Sequence, residues 1–189
     1  MLIQIKSNPA HKFFTTHKSA IIFITKTIVG STIMAISAQL IIPTPLVFIT
    51  GQTLGLIIVS LSMGSKAATS SIFLYLIEGA LGLPIFASGT SSMAILLGPS
   101  GGYLWGFIPA AFVMGYFADK GYLASFVKST IATTLGVFIV FCFGLAQLSF
   151  FVPTNTLLTI GLYPFMIGEI LKVAITVLAL PIIYRFTQK

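Results

Sequence analysis

Residues 46–82 read LVFITGQTLGLIIVSLSMGSKAATSSIFLYLIEGALG. Two apolar runs, 46–63 and 67–82, are interrupted by Gly64, Ser65 and Lys66. A bilayer core of ~30 Å takes about 20 residues of helix, so the stretch is too long for one crossing. Broken at a glycine and a lysine, it reads as two crossings joined by a tight turn. Four more apolar runs flank it, at 20–42, 103–118, 126–148 and 162–184, making six spans. Pro43 and Pro45, the 82–102 connection, Asp119-Lys120-Gly121 and the 153–161 stretch separate them. Residues 1–19 form a polar tail, and the apolar run after it is too long for a signal-peptide core. The expectation is one all-α, six-span domain over residues 20–186.

Composition agrees. The 189 residues are 57% hydrophobic and 7% charged, where soluble domains carry roughly 25% charged residues, and mean hydropathy is +1.07. The net charge of +7 does not point to nucleic acid, because the basic residues stand singly between apolar runs instead of clustering on a solvated face. A lone cysteine, Cys142, excludes a disulfide framework and a thiolate metal cluster. The positions of Lys and Arg set orientation. The tail carries Lys6, Lys12 and Lys18, and the later basic loop residues are Lys66, Lys120, Lys128, Arg185 and Lys189. Connections after spans one, three and five carry none. All these residues share one side only with six spans, which makes both termini cytoplasmic and the 82–102 loop extracytoplasmic. Lys26, near a span end, can snorkel to the interface. A multi-pass cell-membrane protein in contact with lipid follows.

Three ionisable groups then lie at membrane depth: Glu78, Glu169 and Lys172. At ~1.5 Å per residue, Glu169 sits about 7 Å and Lys172 about 12 Å inside the outer end of span six. Their i, i+3 spacing puts them on one face. Insertion of each costs ~2.5–3.5 kcal/mol near a helix centre, which a cavity or mutual pairing must offset. A structural ion pair and a ligand site open to the outside both satisfy that condition. The loop on the same side, with Ser88, Thr90, Ser91, Ser92 and Ser100 and no charge, suits a lid over a small ligand with amide-like and carboxylate groups, or simply caps the bundle. Ser100, in Gly98-Pro-Ser100-Gly-Gly102, has the letters of a hydrolase nucleophile motif. Its only candidate bases, His11 and His17, are in the tail across the membrane. No G-x-x-x-x-G-K-[ST] is present to cradle ATP phosphates, and no cofactor or metal set is expected. In span one, Ser31 and Ala35 are small residues one turn apart, a spacing that permits close helix approach.

The stretches GALGLPIFASG (79–89), LLGPSGGYLWG (96–106), AAFVMG (110–115), ITGQTL (49–54) and YPFMIGEILK (163–172) together resemble the biotin transporter BioY family, the substrate-binding S components of energy-coupling factor transporters. The resemblance runs from about Ile33 to Pro181. It implies six helices, high-affinity biotin binding near the outer face, and transport energised by a transmembrane partner subunit and ATPases. Span one would make the partner contact through Ser31 and Ala35, Ser31 standing where Ala is usual. Glu169 replaces the family's usual Asp, and Glu78 stands where the family is apolar or small. On this reading the substrate-binding candidates are Glu169, Lys172, Gln52, Thr50, Phe86, Ser88, Tyr103 and Glu78. An S component for another vitamin or small amide or carboxylate solute, and an intramembrane serine hydrolase, are the competing readings.

Overall fold

The computed structural model describes residues 9–42, 47, 49–122 and 125–187. Helix α1 (Pro9–Ala38) begins inside the segment expected to be a tail; Pro9 suits a first helical position, where its missing N–H is unpaired in any case. Span one was expected to run to Ile42, yet the helix stops at Ala38. Ile41–Ile42 (β1) instead pairs antiparallel with Ile49–Thr50 (β2), in the register Ile41 to Thr50 and Ile42 to Ile49. The residue before a proline is pushed out of the helical region, so Pro43 makes Ile42 extended. Pro43, Pro45 and Leu46, and with them the expected start of span two, lie outside the described residues.

Helix α2 (Gln52–Ala80) carries both central spans, with a break at Gly64 (φ 79°, ψ 171°). A straight helix would separate Gln52 from Tyr75 by ~35 Å. Gln52 Nε2 instead donates to the Tyr75 hydroxyl at 2.7 Å, so the chain reverses at Gly64 into two antiparallel arms, 52–63 and 65–80. Only glycine takes that φ without steric cost. The carboxylate of Asp119 secures the turn: its Oδ2 accepts from the Ser65 amide at 3.0 Å and the Ser65 hydroxyl at 2.5 Å.

Beyond a 3₁₀ turn (Ala87–Gly89) and the short α3 (Met93–Leu97) come α4 (Gly101–Asp119), α5 (Phe126–Leu148), the short α6 (Thr154–Gly161) and α7 (Tyr163–Thr187). Six long segments result: α1, the two arms of α2, α4, α5 and α7. Among the described residues, Ser19–Ala38, Gln52–Ala80, Phe126–Leu148 and Thr154–Leu178 are long and apolar enough to cross a membrane by length and composition. Helix α4 packs between α2 and α5 and buries Gly101, Gly102, Gly106, Ala110, Ala111 and Gly115; these small side chains let neighbouring backbones approach.

The outward faces are apolar. Ile21, Ile24 and Ile36 of α1, Phe138 of α5 and Ile167 and Ile170 of α7 are all exposed, as a lipid-facing surface requires. Lys26 and Lys66 share a groove with Ser19, Gly64 and Asp119, so basic residues gather at the Gly64 end. The 82–102 loop and Glu169 occupy the opposite end, beside the start of α2.

Candidate functional site

Glu169 and Lys172 project from one face of α7 toward the first turn of α2. Lys172 Nζ donates to Glu169 Oε1 at 2.6 Å, the Thr50 carbonyl at 2.6 Å and Thr53 Oγ1 at 2.7 Å. These three bonds use all three N–H groups of the ammonium. The Thr53 hydroxyl in turn donates to Glu169 Oε1 at 2.8 Å. Oε1 therefore accepts from two donors, whereas Oε2 is buried with no protein partner among the described residues. A buried carboxylate oxygen with spare acceptor capacity is an uncommon feature, and Glu169, 6% exposed, lines a cavity of about 190 Å³.

The rest of that cavity is mostly apolar. Phe86, Tyr103, Phe107, Phe141 and Phe165 form its aromatic wall, with Thr50, Gln52 and Thr53 at the carboxylate corner and Thr90 and Ser100 on the loop side. Tyr103 stacks on Phe165 (6.1 Å, 26°) and meets Phe141 edge-on (6.0 Å, 89°), while its hydroxyl is anchored on the Gly161 carbonyl at 2.7 Å. Phe86 packs edge-on to Tyr75 at 5.4 Å, in a seat left by Gly79, where an added Cβ would lie 2.1 Å from the ring. The Gln52 amide is held on both sides: Oε1 accepts from the Thr50 hydroxyl at 2.8 Å, and Nε2 donates to Tyr75, whose hydroxyl donates to the Ile85 carbonyl at 3.2 Å. Among the described residues, one Nε2 proton of Gln52 has no partner and is available to a ligand.

The structure thus brings together Glu169, Gln52, Thr50, Phe86 and Tyr103 on the cavity wall, with Lys172 bonded behind Glu169. It does not bring in Ser88 or Glu78. Ser88 is exposed and occupies the left-handed region (φ 59°, ψ 29°), shaping the loop turn rather than the wall. The carboxylate of Glu78 accepts from the Ser31 hydroxyl, tying α2 to α1 away from the cavity. Ser31 is therefore buried inside the chain's own packing, 2% exposed, and Ala35 is half-buried. The small residues of α1 do permit close approach, but the helix that approaches Ser31 is the second arm of α2. Sequence reasoning missed Thr53, Tyr75 and Gln39. All three act through folds of the chain that no local pattern records: Thr53 bonds a residue 116 positions away, and Tyr75 and Gln39 bond the 82–102 loop. The described residues contain no group of three or more His, Cys, Asp or Glu that could hold a metal.

Comparison with known proteins places this geometry in context. The sequence model of the BioY family matches residues 10–189. "Biotin transporter BioY" of Thermotoga maritima is 31% identical over 77% of this chain and 86% of its own length. "Probable biotin transporter BioY" of Pyrococcus horikoshii is 35% identical over 76% of this chain and 85% of its own. A crystal structure of the S-component for biotin from an ECF-type ABC transporter superposes with a TM-score of 0.78 at 26% identity, covering 89% of this chain and 93% of that one.

Proposed function

The chain belongs to the BioY family, and from that premise we propose that it is the membrane-embedded biotin-binding component of an energy-coupling factor type vitamin uptake transporter. The observation that carries the reading is the Glu169 carboxylate, fixed on one oxygen by Thr53 and Lys172 and unpaired on the other, at the polar corner of an aromatic cavity. Biotin offers a ureido group with two N–H donors and one carbonyl, an apolar thioether ring and a valerate carboxylate. A ureido N–H bonds Glu169 Oε2, and the remaining Gln52 N–H serves the ureido carbonyl. Lys172 has no proton left for the ligand; its part is to hold Glu169 in place. The bicyclic ring packs against Phe86, Tyr103 and Phe165, and the valerate runs toward the loop at Thr90 and Ser100.

This is a transport component and not an enzyme. Ser100 lines the cavity, but His11 and His17 lie in the first turns of α1, beyond Ser19 at the Gly64 end. With no phosphate-cradling motif in the chain, uptake draws on an energising transmembrane subunit and its ATPases. The Gly64 end, with Lys26 and Lys66, faces the cytoplasm across the cell membrane, and the cavity end faces outward. Titration calorimetry of the detergent-solubilised chain with biotin tests the reading: saturable one-site heat is expected, with none from riboflavin or thiamine. Heat from either of those vitamins and none from biotin overturns it.

A further inference from the structure

The wall of the cavity formed by Phe86, Ala87 and Thr90 belongs to a turn closed by its own backbone, Phe86 N–H to Thr90 O at 2.9 Å and Thr90 N–H to Ala87 O at 3.3 Å. Two side chains from elsewhere hold this turn. Tyr75, on the second arm of α2, is fully buried and donates to the Ile85 carbonyl at 3.2 Å. Gln39, just past the end of α1, is exposed and grips the turn with both ends of its amide. Its Nε2 donates to the Phe86 carbonyl at 3.1 Å, with the Ile85 carbonyl at 3.5 Å, and its Oε1 accepts from the Gly89 amide at 3.1 Å. Among the described residues, these are the hydrogen bonds that join α1 to the loop.

The two supports differ in what breaking them costs. The Tyr75 hydroxyl is fully buried and, once released, has no water to turn to. The Gln39 side chain is exposed, so its amide regains water when it lets go of the turn. Tyr75 is also tied through Gln52 and Thr50 to Lys172 and Glu169, so that side of the turn is anchored to the charged cluster. The turn thus has a fixed side and a releasable side.

We propose that Gln39 is the latch of this turn: it holds the Phe86 wall shut over the cavity, and its release sets the rate at which ligand enters and leaves. Gln39 does not touch the ligand, so it is a positioning residue. The proposal rests on the cavity being the biotin site. Loosening a latch speeds passage in both directions, whereas a residue that only strengthens the closed site changes dissociation alone.

Radiolabelled biotin association and chase kinetics on the purified chain separate these cases. Gln39→Ala is expected to raise both rates by about three- to tenfold, the scale of one ordinary hydrogen bond, while changing Kd by less than either rate. Gln39→Glu keeps the acceptor for the Gly89 amide but turns a carboxylate oxygen toward the Ala35, Ile85 and Phe86 carbonyls, and its rates are expected to rise at least as far as those of Gln39→Ala. Faster dissociation with unchanged association, or wild-type rates in both variants, overturns the latch. Hydrogen–deuterium exchange of a peptide covering residues 85–92, measured without biotin, supplies a readout independent of the ligand. Faster exchange is expected in Gln39→Glu, whose length and stem preserve packing, and unchanged exchange overturns the proposal. A wild-type chain that binds no biotin refutes the biotin reading instead, and the exchange measurement still decides whether Gln39 secures the turn.

Discussion

A carboxylate at membrane depth must be held by something, and Glu169 is held on one oxygen only. Its substitutions therefore separate a ligand contact from a structural ion pair. A hydrogen bond to a charged group contributes roughly 1.5–3 kcal/mol net, one to two decades in Kd at ~1.4 kcal/mol per decade. Glu169→Gln keeps shape and an acceptor and is expected to lose about one decade; Glu169→Ala is expected to lose two or more; Glu169→Asp, which keeps a carboxylate one methylene shorter, is expected to be the mildest. Wild-type affinity in Glu169→Ala, measured by calorimetry, removes Glu169 from the site. Lys172 gives the complementary test. Removing one partner of a buried pair costs ~3–5 kcal/mol because the other charge is stranded. Lys172→Ala is thus expected to melt lower than Lys172→Ala combined with Glu169→Gln, without ligand. Equal melting temperatures sink the pairing. Residue types and spacing made Glu169 and Lys172 legible in the sequence. Thr53, whose hydroxyl bonds a residue 116 positions away, belongs to a contact that only folding creates.

At the scale of elements, the conspicuous motif 79–89 has a packing reason. Gly79 leaves the space that Phe86, seven residues on, occupies against α2. Gly79→Ala puts a methyl group into that ring, and such overpacking costs typically ~1–3 kcal/mol. Because Phe86 is a cavity wall, the expected result is weaker biotin binding, by about tenfold, alongside a modest fall in melting temperature. Wild-type binding in Gly79→Ala shows that Phe86 is not part of the ligand wall. Span existence was legible from length and apolar content, but span ends were not. The helix expected to reach Ile42 stops at Ala38, because Pro43 and the β1–β2 pairing compete for the same backbone. The partner contact implied by the resemblance stays a proposal, and the spacing of Ser31 and Ala35 says only that some helix approaches α1 closely. Here that helix is the chain's own second α2 arm, bonded through Glu78.

For the whole molecule, the parity of spans fixes which loops share a side. With Cys142→Ala as background, Ser91→Cys and Thr156→Cys are expected to react with an impermeant thiol reagent added outside cells, and Lys120→Cys only after permeabilisation. Labelling of Lys120→Cys in intact cells inverts the proposed orientation. The helical reversal at Gly64 makes this parity work: without it, α2 would count as one crossing, Lys66 would lie in the middle of that span, and Lys120 would fall on the side opposite the tail lysines.

The sequence by itself determined the number of spans, the gathering of basic residues at one end, and the presence of two opposite charges on one face of the last helix. Each of these follows from a cost that acts locally, the price of an unpaired backbone or an unpaired charge in hydrocarbon. The tertiary structure decided which groups share those charges, that Glu78 and Ser31 bond each other away from the cavity, that Ser88 shapes a turn, and that Gln39 and Tyr75 hold the Phe86 wall. Those outcomes depend on how helices distant in sequence lean together. That arrangement is set by close packing of small residues and by the one-residue reversal at Gly64, for which a hydropathy pattern carries no coordinate.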